Sequence, residues 1–179
     1  MHPHKFTLWV AIASIIMMFA GLTSAFIVKR NAAGYRGVDL PVYFWISTAT
    51  ILLSSATMIF GVRAFKERRM QQYRQLVAVT FILGIAFVAF QWLGFKELWD
   101  NQGVIFRQAV GAGQFMYVIF GLHAIHVLGG IIALMIMFIK AFAGKTKLYS
   151  AVPVEVAATY WHFVDLLWIY LLVFFLLVG

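Results

Sequence analysis

The chain has no cysteine. Disulfides, iron–sulfur clusters and thiolate zinc sites are therefore excluded. Charge is also scarce: 11% of the 179 residues are charged, against about a quarter in a soluble domain. Proline is limited to three residues. Pro41 and Pro153 fall at the ends of apolar runs, so no run is broken from within. No internal repeat or low-complexity segment is present. The longest uninterrupted polar segment, from Trp99 to Gly113, is too short to hide a soluble domain between helices.

What is abundant is apolar surface. Hydrophobic residues make up 64% of the chain, too many for the polar remainder to cover in water. This predicts an integral membrane protein, all-α, with one membrane domain over residues 1–179. The net charge of +8 could suggest nucleic acid. The basic residues lie between the apolar runs, where they orient membrane helices, so no nucleic-acid partner is expected.

Five spans are predicted, over about 6–28, 42–64, 76–98, 114–140 and 154–178, each of a length that crosses a bilayer. The first could pass for a secretory leader, since Thr23-Ser24-Ala25 loosely resembles a cleavage site. Its apolar run is longer than a leader's core of about 7–15 residues, which predicts a retained helix. Thr7, Ala11, Ser14, Met18, Gly21 and Ala25 form a mostly small stripe along it, suited to close approach of a neighbour. Ser47, Thr50, Ser54, Thr57 and Gly61 form a hydroxyl stripe on the second span, which reads as a packing face rather than a polar pore. Thr80, Gly84, Phe87, Gln91 and Gly94 form the stripe of the third. The amide of Gln91 is costly in lipid unless bonded, so Gln91 is expected to face the bundle.

Basic residues alternate unevenly across the spans. Nine of the fourteen Lys and Arg fall on the side of the amino terminus and five on the other. The N-terminus is therefore expected in the cytoplasm.

Ionisable groups inside apolar spans are the candidate functional residues, because each costs roughly 2.5–3.5 kcal/mol at the bilayer centre. The fourth span carries His123 and His126, three residues apart and so on one face. The fifth carries Glu155, Thr159, His162 and Asp165 on one stripe. The short turn between the two spans predicts antiparallel neighbours. At 1.5 Å per residue, Asp165 lies roughly 16 Å and His126 roughly 18–21 Å from the cytoplasmic side. An inter-helix polar cluster of His123, His126, Tyr160, His162 and Asp165 is geometrically open. Glu155, Trp161 and Gln91 are candidates for contact with lipid or a partner. Four readings of the cluster are open: a structural lock, a site for lipid headgroups or a proton or gas route, a metal site built from His123, His126, His162 and Asp165, and haem held by His126 and His162. The lock ranks first, and no metal or catalytic residue is assigned.

Tyr160-Trp161-His162-Phe163-Val164-Asp165 followed by Trp168 resembles the most recognisable run of subunit III of the haem-copper respiratory oxidases. Glu155, seven residues before His162, matches that pattern. Gly121-Leu122-His123-Ala124-Ile125-His126-Val127 is similar to the family's segment in the preceding helix. Five spans match the short bacterial form. The resemblance implies an accessory chain without a cofactor of its own. Haem and copper would reside in partners, the catalytic subunit I and subunit II. The resemblance also implies bound phospholipid, a multi-pass position in the bacterial inner membrane, and a place in a complex that reduces oxygen to water and translocates protons, with a larger respiratory supercomplex as a further partner. Two family carboxylates are missing: Ile15 follows Ser14 where the family has glutamate, and Gly94 stands three residues after Gln91 where it commonly has another. A quinol-oxidase subunit III and a nitric-oxide-reductase accessory protein share this pattern. From other classes, a stand-alone transporter and a b-type cytochrome are the alternatives.

Overall fold

The computed structural model describes residues 3–31, 39–101, 112–143 and 151–178. These form five helices: α1 (Pro3–Arg30), α2 (Val42–Lys66), α3 (Met70–Asn101), α4 (Ala112–Ala143) and α5 (Val152–Val178). There is no strand among the described residues. All five helices are long and apolar enough to cross a membrane. The shortest has 25 residues, which at 1.5 Å per residue exceeds a hydrocarbon core of about 30 Å. Lys145, Lys147, Arg36 and Arg107 lie outside the described residues.

The helices overrun the apolar runs that announce them. α3 begins at Met70 rather than Leu76, taking in Gln71, Gln72, Arg74 and Gln75. These side chains are exposed. Hydropathy falls there, but the backbone hydrogen bonds continue. Pro41 precedes α2 and accepts the Phe44 N–H at 3.0 Å. Pro153 is the second residue of α5, where a missing N–H leaves no bond unmade.

Three residues separate α2 from α3. Arg68 among them has φ 62°, a left-handed turn that costs a non-glycine residue roughly 1–2 kcal/mol. The Arg69 N–H closes it on Ala64 O at 2.9 Å. So tight a reversal lays α2 and α3 antiparallel, with Phe65 and Tyr73 in contact beside the turn.

α5 packs against α1, α2 and α4, and α4 also packs against α1 and α3. No Cα of α1 comes within 8 Å of α2. Half of the membrane window of α5 is buried, against 22% for α1, so α5 is the central helix and α1 an edge. The small stripe of α1 is a correction to expectation: Thr7, Ala11, Ser14 and Gly21 are exposed. α1 packs instead through Ile12, Phe19, Thr23 and Phe26. Phe26 meets Phe174 and Phe175 of α5 edge-on. Large aromatics give more contact than the small face does, and that wins where lipid competes equally for apolar surface.

The stripes of α2 and α3 do turn inward. Ser47, Ser54, Thr80, Gly84, Phe87, Gln91 and Gly94 are buried. The Thr57 and Thr80 hydroxyls bond at 2.8 Å, and Gln91 Nε2 donates to Ser47 Oγ at 2.9 Å. Phe44 lies on Gly94, where an added Cβ would stand 2.5 Å from the ring. The space beside Gly94 on α3 is thus filled by an aromatic ring from α2. Phe44 continues into a cluster with Phe95, Phe120 and Trp168.

Candidate functional site

The run from Tyr160 to Trp168 is built into the middle of the bundle. Trp161 is fully buried. Glycines at 84 on α3 and 130 on α4 make room for its indole: a Cβ on Gly130 would stand 2.9 Å from Trp161 Cε3, and one on Gly84 would stand 3.1 Å from Cη2. A buried indole N–H needs an acceptor, and Trp161 Nε1 donates to Ser54 Oγ of α2 at 3.1 Å. One side chain of α5 thus touches α2, α3 and α4. Two turns on, Trp168 Nε1 donates to Thr48 Oγ1 at 2.9 Å. Between them His162 Nδ1 and Ser55 Oγ are 2.6 Å apart. Seven residues along α5, from Trp161 to Trp168, the α2 partner moves back from Ser54 to Thr48, as antiparallel helices require.

The bonds of the expected cluster therefore go to several helices. Tyr160 does reach α4, donating to the backbone carbonyl of His126 at 3.0 Å. The His126 side chain turns back on its own helix, with Nδ1 donating to Leu122 O at 2.7 Å, and its ring meets Phe19 of α1 edge-on. His123 is buried, stacked on Trp168 at 5.3 Å. Neither of its nitrogens has a hydrogen-bond partner among the described residues. His162 and Asp165 lie together, Nδ1 4.0 Å from Oδ2, facing α2. Among the described residues no bond joins either of them to His123 or His126.

Two candidates for lipid or partner contact need correction. Trp161 and Gln91 are interior, because each has a polar atom that an α2 hydroxyl satisfies. Glu155 is partly exposed and holds two lysines. Lys5 Nζ of α1 lies 2.6 Å from Oε2, and Lys66 Nζ of α2 lies 2.8 Å from Oε1. The carboxylate thereby spans the two helices that do not approach each other. Beneath it opens a cleft of about 560 Å³, lined by Lys5, Trp9, Lys66, Glu155, Thr159 and His162 among others. A second, largely apolar groove of about 440 Å³ is lined by Leu8, Tyr73, Ile136, Lys140 and Tyr160 among others.

Thr48, Ser55, Lys5 and Lys66 complete these contacts and escaped the sequence reading. A signal was there for the hydroxyls. The second span holds six Ser and Thr, more than one stripe can use, and Thr48 and Ser55 are those just off it. Lys5 and Lys66 read as orienting charges, and nothing in their spacing pairs them with Glu155.

Among the described residues no group of three or more His, Asp or Glu is placed to hold a metal ion. His126 and His162 face Phe19 and Ser55 respectively, so the two rings do not address a shared haem cavity. The fold defines a polytopic helical-bundle membrane protein of five spans.

The family follows from comparison. A family model described as cytochrome c oxidase subunit III matches residues 4–179. A probable cytochrome c oxidase subunit 3 of Nocardia farcinica is 31% identical over 163 residues, covering 88% of this chain and 79% of that protein. The cytochrome c oxidase subunit 3 of Bacillus subtilis is 26% identical over 176 residues, covering 96% and 84%. A probable cytochrome c oxidase subunit 3 of Mycobacterium tuberculosis is 29% identical, covering 88% and 79%. The chain belongs to the cytochrome c oxidase subunit III family.

Proposed function

We propose that this chain is the non-catalytic subunit III of a proton-translocating terminal oxidase in the bacterial cytoplasmic membrane, N-terminus inside. Its role is to pack against the haem- and copper-bearing subunits I and II and keep the catalytic subunit active while oxygen is reduced to water. The observation that carries this reading is the use made of the family-like run. Trp161 and Trp168 are fully buried in the chain's own bundle, with their N–H groups spent on α2 hydroxyls. Residues committed in that way support a fold; they are not presented to a substrate.

Phospholipid is proposed for the apolar groove between α1, α3, α4 and α5. Its walls suit an acyl chain, and Lys140 at one end suits a phosphate. Ile15 and Gly94 leave the two family carboxylate positions without charge, so the reading places no proton step on them.

Co-purification tests this function. A tagged chain should bring down a haem-bearing partner and bound phospholipid, and should itself be colourless once separated in detergent. A Soret band retained by the isolated chain would replace this reading with a b-type cytochrome. Purification without any haem-bearing partner would favour a stand-alone membrane protein.

A further inference from the structure

The chain has six carboxylates. Asp39, Glu67, Glu97, Asp100 and Glu155 lie between helices or within a turn or so of a helix end. Asp165 is different: it sits at the midpoint of the 27-residue α5, roughly 20 Å from the helix start. It is 3% exposed, and neither of its oxygens has a hydrogen-bond partner among the described residues. The basic group within ion-pair reach is His162, Nδ1 to Oδ2 4.0 Å. From α2, the Ser55 hydroxyl bonds His162 and lies next to the Asp165 carboxyl without completing a bond to it. The other charged groups lining this cleft are Lys5 of α1, Lys66 of α2 and Glu155 of α5 at its mouth; on α4, His126 is bonded within its own helix and His123 is stacked on Trp168.

A buried charge in a bilayer persists only when it is cancelled. His162 and Asp165 cancel when the pair holds one proton. It can be written as carboxylic acid with neutral imidazole or as carboxylate with imidazolium, and the net charge is zero either way. Losing the proton leaves one buried negative charge; gaining a second leaves a positive one. Such a pair titrates as a unit.

It is also accessible. His162 lines the cleft under Lys5, Glu155 and Lys66, and its side chain is 29% exposed. With Nδ1 turned to Ser55, Nε2 is the nitrogen left to meet water in the cleft. We infer that His162 and Asp165, with the Ser55 hydroxyl beside both, form a proton-binding site at mid-membrane depth. It exchanges with the Lys5–Lys66 end of the bundle through this cleft. A proton taken up at Nε2 is matched by release of the Nδ1 proton towards the carboxylate, which leaves neutral imidazole and carboxylic acid, the pair again holding one proton. The inference does not depend on the accessory-subunit reading, because a chain that joined no oxidase would still carry the site.

Infrared difference spectroscopy of the purified protein, in whatever complex it comes, tests it. The wild type should show a carboxylic-acid C=O band that shifts in D₂O and is lost in Asp165→Asn. In His162→Gln, which keeps a hydrogen-bonding side chain towards Ser55, the band should move. If the wild-type and Asp165→Asn spectra superimpose, or the wild-type band resists D₂O, the site does not exist as described. Should Asp165→Asn fail to assemble, His162→Gln decides, and an unmoved band would overturn the inference.

Discussion

Trp161 of α5 donates its indole N–H to Ser54 of α2 at 3.1 Å, while its ring lies against the backbone glycines 84 and 130 of α3 and α4. This packing makes the two glycines unequal to others in the same helices. Gly130→Ala would set a Cβ 2.9 Å from a rigid ring. Overpacking of that kind costs typically about 1–3 kcal/mol. The better helix propensity of alanine returns at most about 1 kcal/mol, so the net effect is destabilising. Gly121→Ala, with nothing within 4 Å of its Cβ, should be neutral or slightly stabilising. Thermal unfolding in detergent distinguishes the two, and equal midpoints would show that the indole does not fill this space.

The bond from Tyr160 to α4 ends on a main-chain oxygen. Tyr160→Phe should therefore cost about 0.5–1.5 kcal/mol, whichever side chain stands at position 126. His126→Leu should leave that cost unchanged, because the His126 ring bonds only its own helix among the described residues. A double-mutant cycle on these two positions checks the claim. A large coupling energy would mean that the imidazole itself joins the contact.

Glu155 holds Lys5 and Lys66 on helices whose backbones do not approach. All three side chains are partly exposed, so each pair contributes no more than about 1 kcal/mol. Glu155→Gln should lower thermal stability modestly, and the gap from wild type should narrow at high ionic strength. Lys5→Gln added to Glu155→Gln should cost little more, since its partner is already gone. Additive losses would point to a separate partner for Lys5.

The five helices were legible in the sequence because a bilayer leaves few other arrangements of apolar runs. The inward faces of α2 and α3 were legible too, since Ser54, Thr80 and Gln91 would be costly towards lipid. The partner of each α5 residue was not. The short turn after α4 pointed to α4 as the helix facing His162, but α5 is central and presents that side to α2. Which neighbour a face meets depends on the order of helices around the bundle, and helical periodicity does not carry that order. The small stripe of α1 misled for a related reason: small residues permit close approach, but Phe19 and Phe26 supplied the contact. Gly94 stood out in the sequence only as a departure from the pattern the chain resembles, whereas its use as the seat of the Phe44 ring needed the packed structure.

The central claim is that the run from Trp161 to Trp168 holds this subunit's own fold in the service of a partner's reaction. It is tested by comparing Ser54→Ala/Thr48→Ala with wild type in the purified oxidase. Two measurements are made together: initial turnover per haem, and retention of this subunit through detergent washing. Loss of the two acceptor hydroxyls should leave initial turnover unchanged while retention falls and activity decays sooner. Loss of initial turnover with the subunit fully retained would contradict the account, because it would place the run in the catalytic cycle itself.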